Sequence, residues 1–139
     1  MTTTIQEVIL SVNDLLIAGV SNLLHAYDYP PDSLPDELVM ITYYGGGTSE
    51  PHSSGMLKDL YNINCDFYVF AKELWRDVYK LMENIDDIRN TLVADTTLGG
   101  KVSTYEILEI TAPIPTEYAG VPALMMRFIL RNVKMNGAR

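Results

Sequence analysis

The stretch that most restricts this chain runs from Lys72 to Met135, where a helical period and two strand periods follow one another with clear breaks between them. Leu74, Val78, Leu81, Met82, Ile85, Ile88 and Leu92 fall on one stripe, with Asp77, Lys80, Glu83, Asp86, Asp87 and Asn90 on the other, which predicts a helix over about Lys72 to Ala94. Gly99-Gly100 ends that region, since glycine tolerates the left-handed geometry of a helix stop. Val102 to Thr111 and Ala123 to Met135 read as strands, joined by the proline-rich loop from Ala112 to Val121. On the last strand Arg127 and Arg131 alternate with Phe128 and Leu130, so the arginines face away from the apolar set.

Upstream, Thr4 and Glu7 have the spacing of a capping box, and Ile5, Val8, Ile9, Val12, Leu16, Gly19 and Leu23 recur at helical spacing, predicting a helix from about Thr4 to Leu24. Tyr29 to Asp36 contains three prolines and reads as a surface linker. Leu38 to Tyr44 is a first strand; Leu60 to Phe70 is a second, with Ile63, Cys65, Phe67 and Val69 inward and Asn64, Asp66 and Tyr68 outward. Between them Gly45 to Gly55 is glycine- and serine-rich, so a flexible loop is expected over about residues 45–57. The order α-β-β-α-β-β gives an α/β (α+β) class: an antiparallel or mixed four-stranded sheet with two main helices packed on one face. With 139 residues, 47% of them hydrophobic, the chain is expected to form a single domain over residues 1–139.

The net charge of -8 is unevenly spread. Residues 1–57 carry seven acids (Glu7, Asp14, Asp28, Asp32, Asp36, Glu37, Glu50) and no Lys or Arg, whereas Arg127, Arg131, Lys134 and Arg139 close the chain without an acid. This asymmetry reads either as two differently solvated surfaces or as complementary faces of neighbouring subunits. Overall acidity argues against a protein that grips nucleic-acid phosphates. No run approaches the roughly 20 apolar residues of a membrane span, and the N-terminus lacks a basic signal-peptide region, so a soluble protein made in the cytoplasm, with no membrane partner, is expected.

The reactive residues assemble no chemistry. His25 and His52 are the only histidines, and no His-x-x-x-His or Cys-x-x-Cys spacing supports a metal. The single cysteine, Cys65, falls on an inward strand position and reads as a small hydrophobe. Gly45-Gly46-Gly47 precedes Thr48-Ser49-Glu50-Pro51 without a phosphate-loop lysine. Asp86 and Asp87 sit on a solvated helix side and do not converge on a common centre. No catalytic residue, cofactor or metal is therefore expected. The remaining candidates are contact residues. Gly45, Gly46, Gly47, Glu50 and His52 form either a plain connector or an arm that orders on a partner; Arg127 and Arg131 are either inert or meet acids such as Asp32, Asp36 or Glu37 of a neighbouring copy. Tyr118 belongs to a set of nine tyrosines, a residue suited to interfaces as well as to half-buried strand positions.

The sequence of helix, Ala94-Asp95-Thr96-Thr97-Leu98-Gly99-Gly100 turn, strand, Pro113-x-Pro115-x-x-Tyr118-x-Gly120 loop and long final strand resembles the tail terminator (tail completion) proteins of long-tailed bacteriophages. The resemblance covers most of the chain in element order and is tightest from Thr91 to Val133. It implies a structural virion protein of the tail-neck region, assembled in the host cytoplasm, that forms a six-membered homo-oligomeric ring on the last ring of tail tube protein. Such a ring ends tube growth and presents a joint to the head-side connector. An acidic ring would also let DNA pass through its lumen without sticking. Two alternatives stay open: another phage neck or head-completion protein, and a small ligand-binding α/β domain.

Overall fold

The computed structural model describes residues 4–35, 37–51, 57–71 and 74–135. Helix α1 spans Ile5–Gly19 and opens as its sequence requires: Thr4 accepts a hydrogen bond from the Glu7 amide at 3.2 Å. Val8, Ile9, Val12 and Leu16 form its buried stripe. It stops five residues before the predicted Leu24, because Val20 turns extended and its amide closes on the Leu16 carbonyl at 2.9 Å. The freed chain makes β1, His25–Tyr27, which pairs parallel with β2, Val39–Pro51.

Strand β2 runs antiparallel to β3, Leu57–Phe70. Here the described part of the run expected as a loop, Gly45 to Pro51 and Leu57, is strand. Gly45, Gly46 and Gly47 lie inside β2, and the ladder continues past them to Pro51 opposite Leu57. The glycines serve a bulge between Tyr44 and Gly47: Gly46 has φ +95, and a Cβ on Gly47 would stand 2.6 Å from the Leu60 carbonyl oxygen. The run is glycine-rich because the backbone kinks there and passes close to its neighbour. Residues 52–56, including His52, lie outside the described residues.

The predicted second helix is two helices, α2 (Leu74–Met82) and α3 (Ile85–Ala94). Asn84 makes the break. It is buried; its side-chain amide donates to the Lys80 carbonyl at 2.7 Å and accepts from Asn22 at 3.0 Å. After α3, Asp95 organises the turn, accepting from the Thr97 and Gly99 amides at 3.1 and 3.0 Å and from the Thr97 hydroxyl at 2.5 Å. Leu98, Gly99 and Gly100 all have positive φ, and Leu98 is nevertheless fully buried. Its carbonyl accepts from the Ser11 hydroxyl of α1 at 2.7 Å, which fastens the turn to the first helix.

The expected third strand is also divided, into β4 (Val102–Thr104) and β5 (Ile107–Ile110), because Tyr105 turns into the core and donates to the Leu92 carbonyl at 2.9 Å. The proline-rich loop is instead strand β6, Ile114–Tyr118, turned by Ala119-Gly120 at φ 51 and 81 into β7, Val121–Met135. Pro115 is accommodated because β6 is an edge strand.

Among the described residues the sheet therefore has seven strands rather than four, in a mixed α+β arrangement. Its path is β1-β2-β3-β7, and β7 pairs on its far side with β4, β5 and β6 in succession. The helices share one core with one sheet face: Val8, Val12, Leu16, Leu81, Ile88 and Leu92 join Ile63, Cys65, Phe67, Met126, Phe128 and Leu130. Phe67 and Phe128 meet edge to face, centroids 5.5 Å apart, a geometry worth about 1 kcal/mol beyond its buried area. Among the described residues no helix is long and apolar enough to cross a membrane.

Candidate interaction face

The opposite sheet face is built from the outward positions of the same strands, and only half of it is covered. The linker after β1 crosses it, burying Leu34 against Val39 and Ile41 with Tyr27, Tyr43, Tyr68, Phe70 and Tyr118 around them. Tyr118 donates to the Pro31 carbonyl and packs edge-on against Tyr68 at 5.4 Å. Burial pushes the Tyr43, Tyr68 and Tyr118 hydroxyls above their ordinary range, and the nearby Asp32 carboxylate adds to the effect at Tyr118.

At the edge of this covered half sits an ion pair. Asp66 on β3 stands directly opposite Arg127 on β7; Arg127 Nε donates to Asp66 Oδ1 at 2.7 Å and Nη2 to Oδ2 at 3.2 Å. Tyr43 donates a third hydrogen bond to Asp66 Oδ2 at 2.9 Å. The Asp66 side chain is 5% exposed and Arg127 34%, so the carboxylate is enclosed and the guanidinium half open. Its hydrogen bond to Asp66 drives the Arg127 pKa still higher.

Beyond Arg127 the face is uncovered. Arg131 donates through Nη2 to Glu109 Oε2 at 3.0 Å, with Nε 2.8 Å from Oε1, and this pairing holds the Glu109 carboxyl below its usual range. Half-buried Ile129 lies between the two arginines and half-buried Met125 on the other side of Arg127. Register sets Ile114, 48% exposed, beside Met125 and Ile107, 44% exposed, beside Arg131. The result is a row in which exposed apolar residues alternate with charges already matched within the chain.

The residues expected from the sequence to act at contacts are thus separated. Tyr118 and exposed Asp32 cluster at the start of β7, whereas Gly45–Gly47 and Glu50 belong to the β2–β3 hairpin near its far end. Nine residue steps along β7, about 30 Å at the rise of a strand, separate the pairing site of Tyr118 at Val121 from Tyr44's row at Leu130. Glu50 stands opposite Lys58 in the hairpin backbone; Asp36, like His52, lies outside the described residues. Arg127 and Arg131 do share the outward face, but Asp66 and Glu109 of the same chain meet them. Sequence reasoning left both acids out of the candidate set. Asp66 carried a signal, its outward parity on β3, but only the strand register brings it to Arg127.

Cys65 is fully enclosed, and burial pushes its thiol up to about 12, which removes it as a nucleophile. A cleft of about 250 Å³ lies between Asn22, Glu37, Leu38, Lys80, Glu83 and Asn84, and the Asn84 amide in its wall is committed to Asn22 and Lys80. Among the described residues no three His, Cys, Asp or Glu side chains are grouped to hold a metal ion.

No protein-family model and no curated protein matches the sequence. Among solved structures, the chain is similar to the sheath/tube terminator of an extracellular contractile injection system (PVC) in its extended state. That match has 13% identity and a TM-score of 0.43, over 99% of this chain and 58% of that one. It is also similar to a chain of the virion of a native gene transfer agent particle, at 11% identity and a TM-score of 0.32 over 88% of this chain and 84% of that one. This chain therefore spans less than two thirds of the terminator's length, and what it does has to be argued from its own residues.

Proposed function

We propose that this chain is a structural subunit of a phage-type tail: a terminator, acting as one domain over residues 1–139, that assembles as a homo-oligomeric ring, caps the tail tube and offers the joint to the head-side connector. The observation that carries the reading is the uncovered half of the second sheet face. Ile107, Ile114, Met125 and Ile129 alternate there with Arg127 and Arg131, which Asp66 and Glu109 neutralise. Such a surface suits a permanent protein contact, since docking strands no unpaired charge. The order of elements around the Asp95 turn and the Tyr118 hairpin supports the same reading through the family resemblance. In this reading Gly45, Gly46, Gly47 and Glu50 on one hairpin, Asp32 and Tyr118 at the other end, and His52 and Asp36, which lie outside the described residues, contact the tube, the connector or a neighbouring copy. Arg127 and Arg131 lie among these contact residues. The excess of acids keeps a central passage from holding DNA.

The test is direct. Purified protein is examined by native mass spectrometry and negative-stain imaging, then added to polymerising tube protein. Six-membered rings and arrested tubes are expected, and a phage lacking the protein is expected to give filled heads without tails and tubes of abnormal length. A strict monomer that leaves tube length unchanged overturns the proposal. Tubes of correct length that fail to join heads would instead assign the chain to the neck.

A further inference from the structure

We infer that the connection between β1 and β2, residues 28–38, is a strap that covers half of the second sheet face in the free subunit and swings off it when a second copy docks there; this rests on the ring reading and adds a step to it. Chain length permits the movement. Because β1 and β2 are parallel neighbours with Tyr27 beside Ile41, the connection has to bridge only about 8 Å from Tyr27 to Val39. Its eleven residues reach about 36 Å when extended. The surplus is what lies across the face, so the strap can leave it without disturbing either strand.

Little holds the strap down. Leu34 is sunk into this face against Val39 and Ile41, whereas Leu38 joins the helix-side core. Three single hydrogen bonds tie the rest: Gln6 donates to Asp28, His25 Nε2 lies 2.8 Å from Glu37 Oε2, and Tyr118 donates to the Pro31 carbonyl. The first two ties are exposed, where water replaces a lost partner at small cost. Pro30, Pro31 and Pro35 bring no backbone donors of their own. Beneath the strap the open surface continues, for Tyr68, packed under it, stands opposite Met125 of the uncovered half. A lasting contact between proteins takes about 20–30 residues a side, and the apolar part of the open half is Ile107, Ile114, Met125 and Ile129. Lifting the strap adds Val39, Ile41, Tyr68, Phe70 and Tyr118 and extends the contact across the sheet. Since this half continues the surface proposed above for permanent contact, its occupant in a ring is a second copy. In a lone subunit the strap shields an apolar area that would otherwise invite chance association.

A reversible lock tests the strap. The Leu34→Cys/Ile41→Cys double variant joins the strap to β2 on oxidation, and buried Cys65 leaves a clean background. Tyr118→Phe does the opposite, removing the Pro31 tie while keeping an aromatic ring against Tyr68. Ring formation is followed by native mass spectrometry over a series of protein concentrations, with thiol titration to count the bridge and circular dichroism to check folding. The oxidised double variant is expected to stay folded and monomeric and to form rings once reduced. Tyr118→Phe is expected to form rings at about fivefold lower concentration than the wild type, since the loss of one ordinary hydrogen bond raises the open fraction by about that factor. Rings from the oxidised form as readily as from the reduced form overturn the strap and leave the ring reading standing. Where no bridge forms, or the reduced form fails to assemble, Tyr118→Phe decides, and an unchanged or raised concentration overturns the strap. Absence of wild-type rings overturns both.

Discussion

Removing Arg127 should cost this protein far more than removing Arg131, although the two arginines look equivalent in the sequence. In Arg127→Ala the Asp66 carboxylate, 5% exposed, loses two hydrogen bonds and its counter-charge and keeps only the Tyr43 hydroxyl. Breaking a fully buried pair costs about 3–5 kcal/mol. Arg127 is 34% exposed, so solvent already screens part of the attraction and water enters once the side chain is gone. A loss of about 2 kcal/mol follows, and with an unfolding entropy near 0.3 kcal/mol/K for a chain of this length the midpoint falls by about 7 °C. Urea and thermal unfolding of Arg127→Ala, Asp66→Ala and the double variant measure it, and the double variant should lose less than the sum of the singles. Arg131→Ala, whose partner Glu109 is exposed, should leave the midpoint unchanged within error. Equal midpoints for Arg127→Ala and Arg131→Ala, or strict additivity in the cycle, would show that Asp66 is not held as described.

Phe128→Ala should destabilise by about 3–5 kcal/mol, since the ring is fully buried against Phe67; a loss below that of Arg127→Ala in the same urea series would contradict the core assignment. The Thr97 hydroxyl and the Gly99 amide hold the Asp95 pKa below its ordinary value. Its contribution to stability is therefore complete above the usual carboxylate range and disappears as pH falls through the lowered folded value; Asp95→Ala should flatten that acid limb of a stability-versus-pH curve, and an unchanged limb would exclude it. Gly47→Ala should lower stability by roughly 1–3 kcal/mol through its clash with the Leu60 carbonyl, whereas mere loop flexibility at Gly47 would leave urea midpoints unaltered.

The parts legible in the sequence are those set by local period. The α1 cap at Thr4, the inward set Ile63, Cys65, Phe67 and Val69, and the outward direction of Arg127 and Arg131 each follow from spacing alone. Asn84 escaped because, among acids and amides, it reads as one more solvated residue, although it is buried and divides the helix. The glycine run misled for a different reason: low side-chain content describes a flexible loop and a crowded bulge equally well, and only the partner strand distinguishes them. Pro113 and Pro115 likewise hid β6, an edge strand that needs few donors. The ion pairs could not be read at all without register, because Asp66 and Arg127 are 61 residues apart in the chain.

Among the described residues, strand β7 alone joins β3 to β4, β5 and β6. Until residues near Met135 have left the ribosome, Phe67 has no Phe128, Asp66 has no Arg127, and three short strands have nothing to pair with. Folding must therefore wait for contacts that span most of the distance from β3 to β7, which is slow for a sheet joined across such separations. One strand thus sets the pace for the whole sheet, and a substitution that slows its docking delays β3, β4, β5 and β6 together.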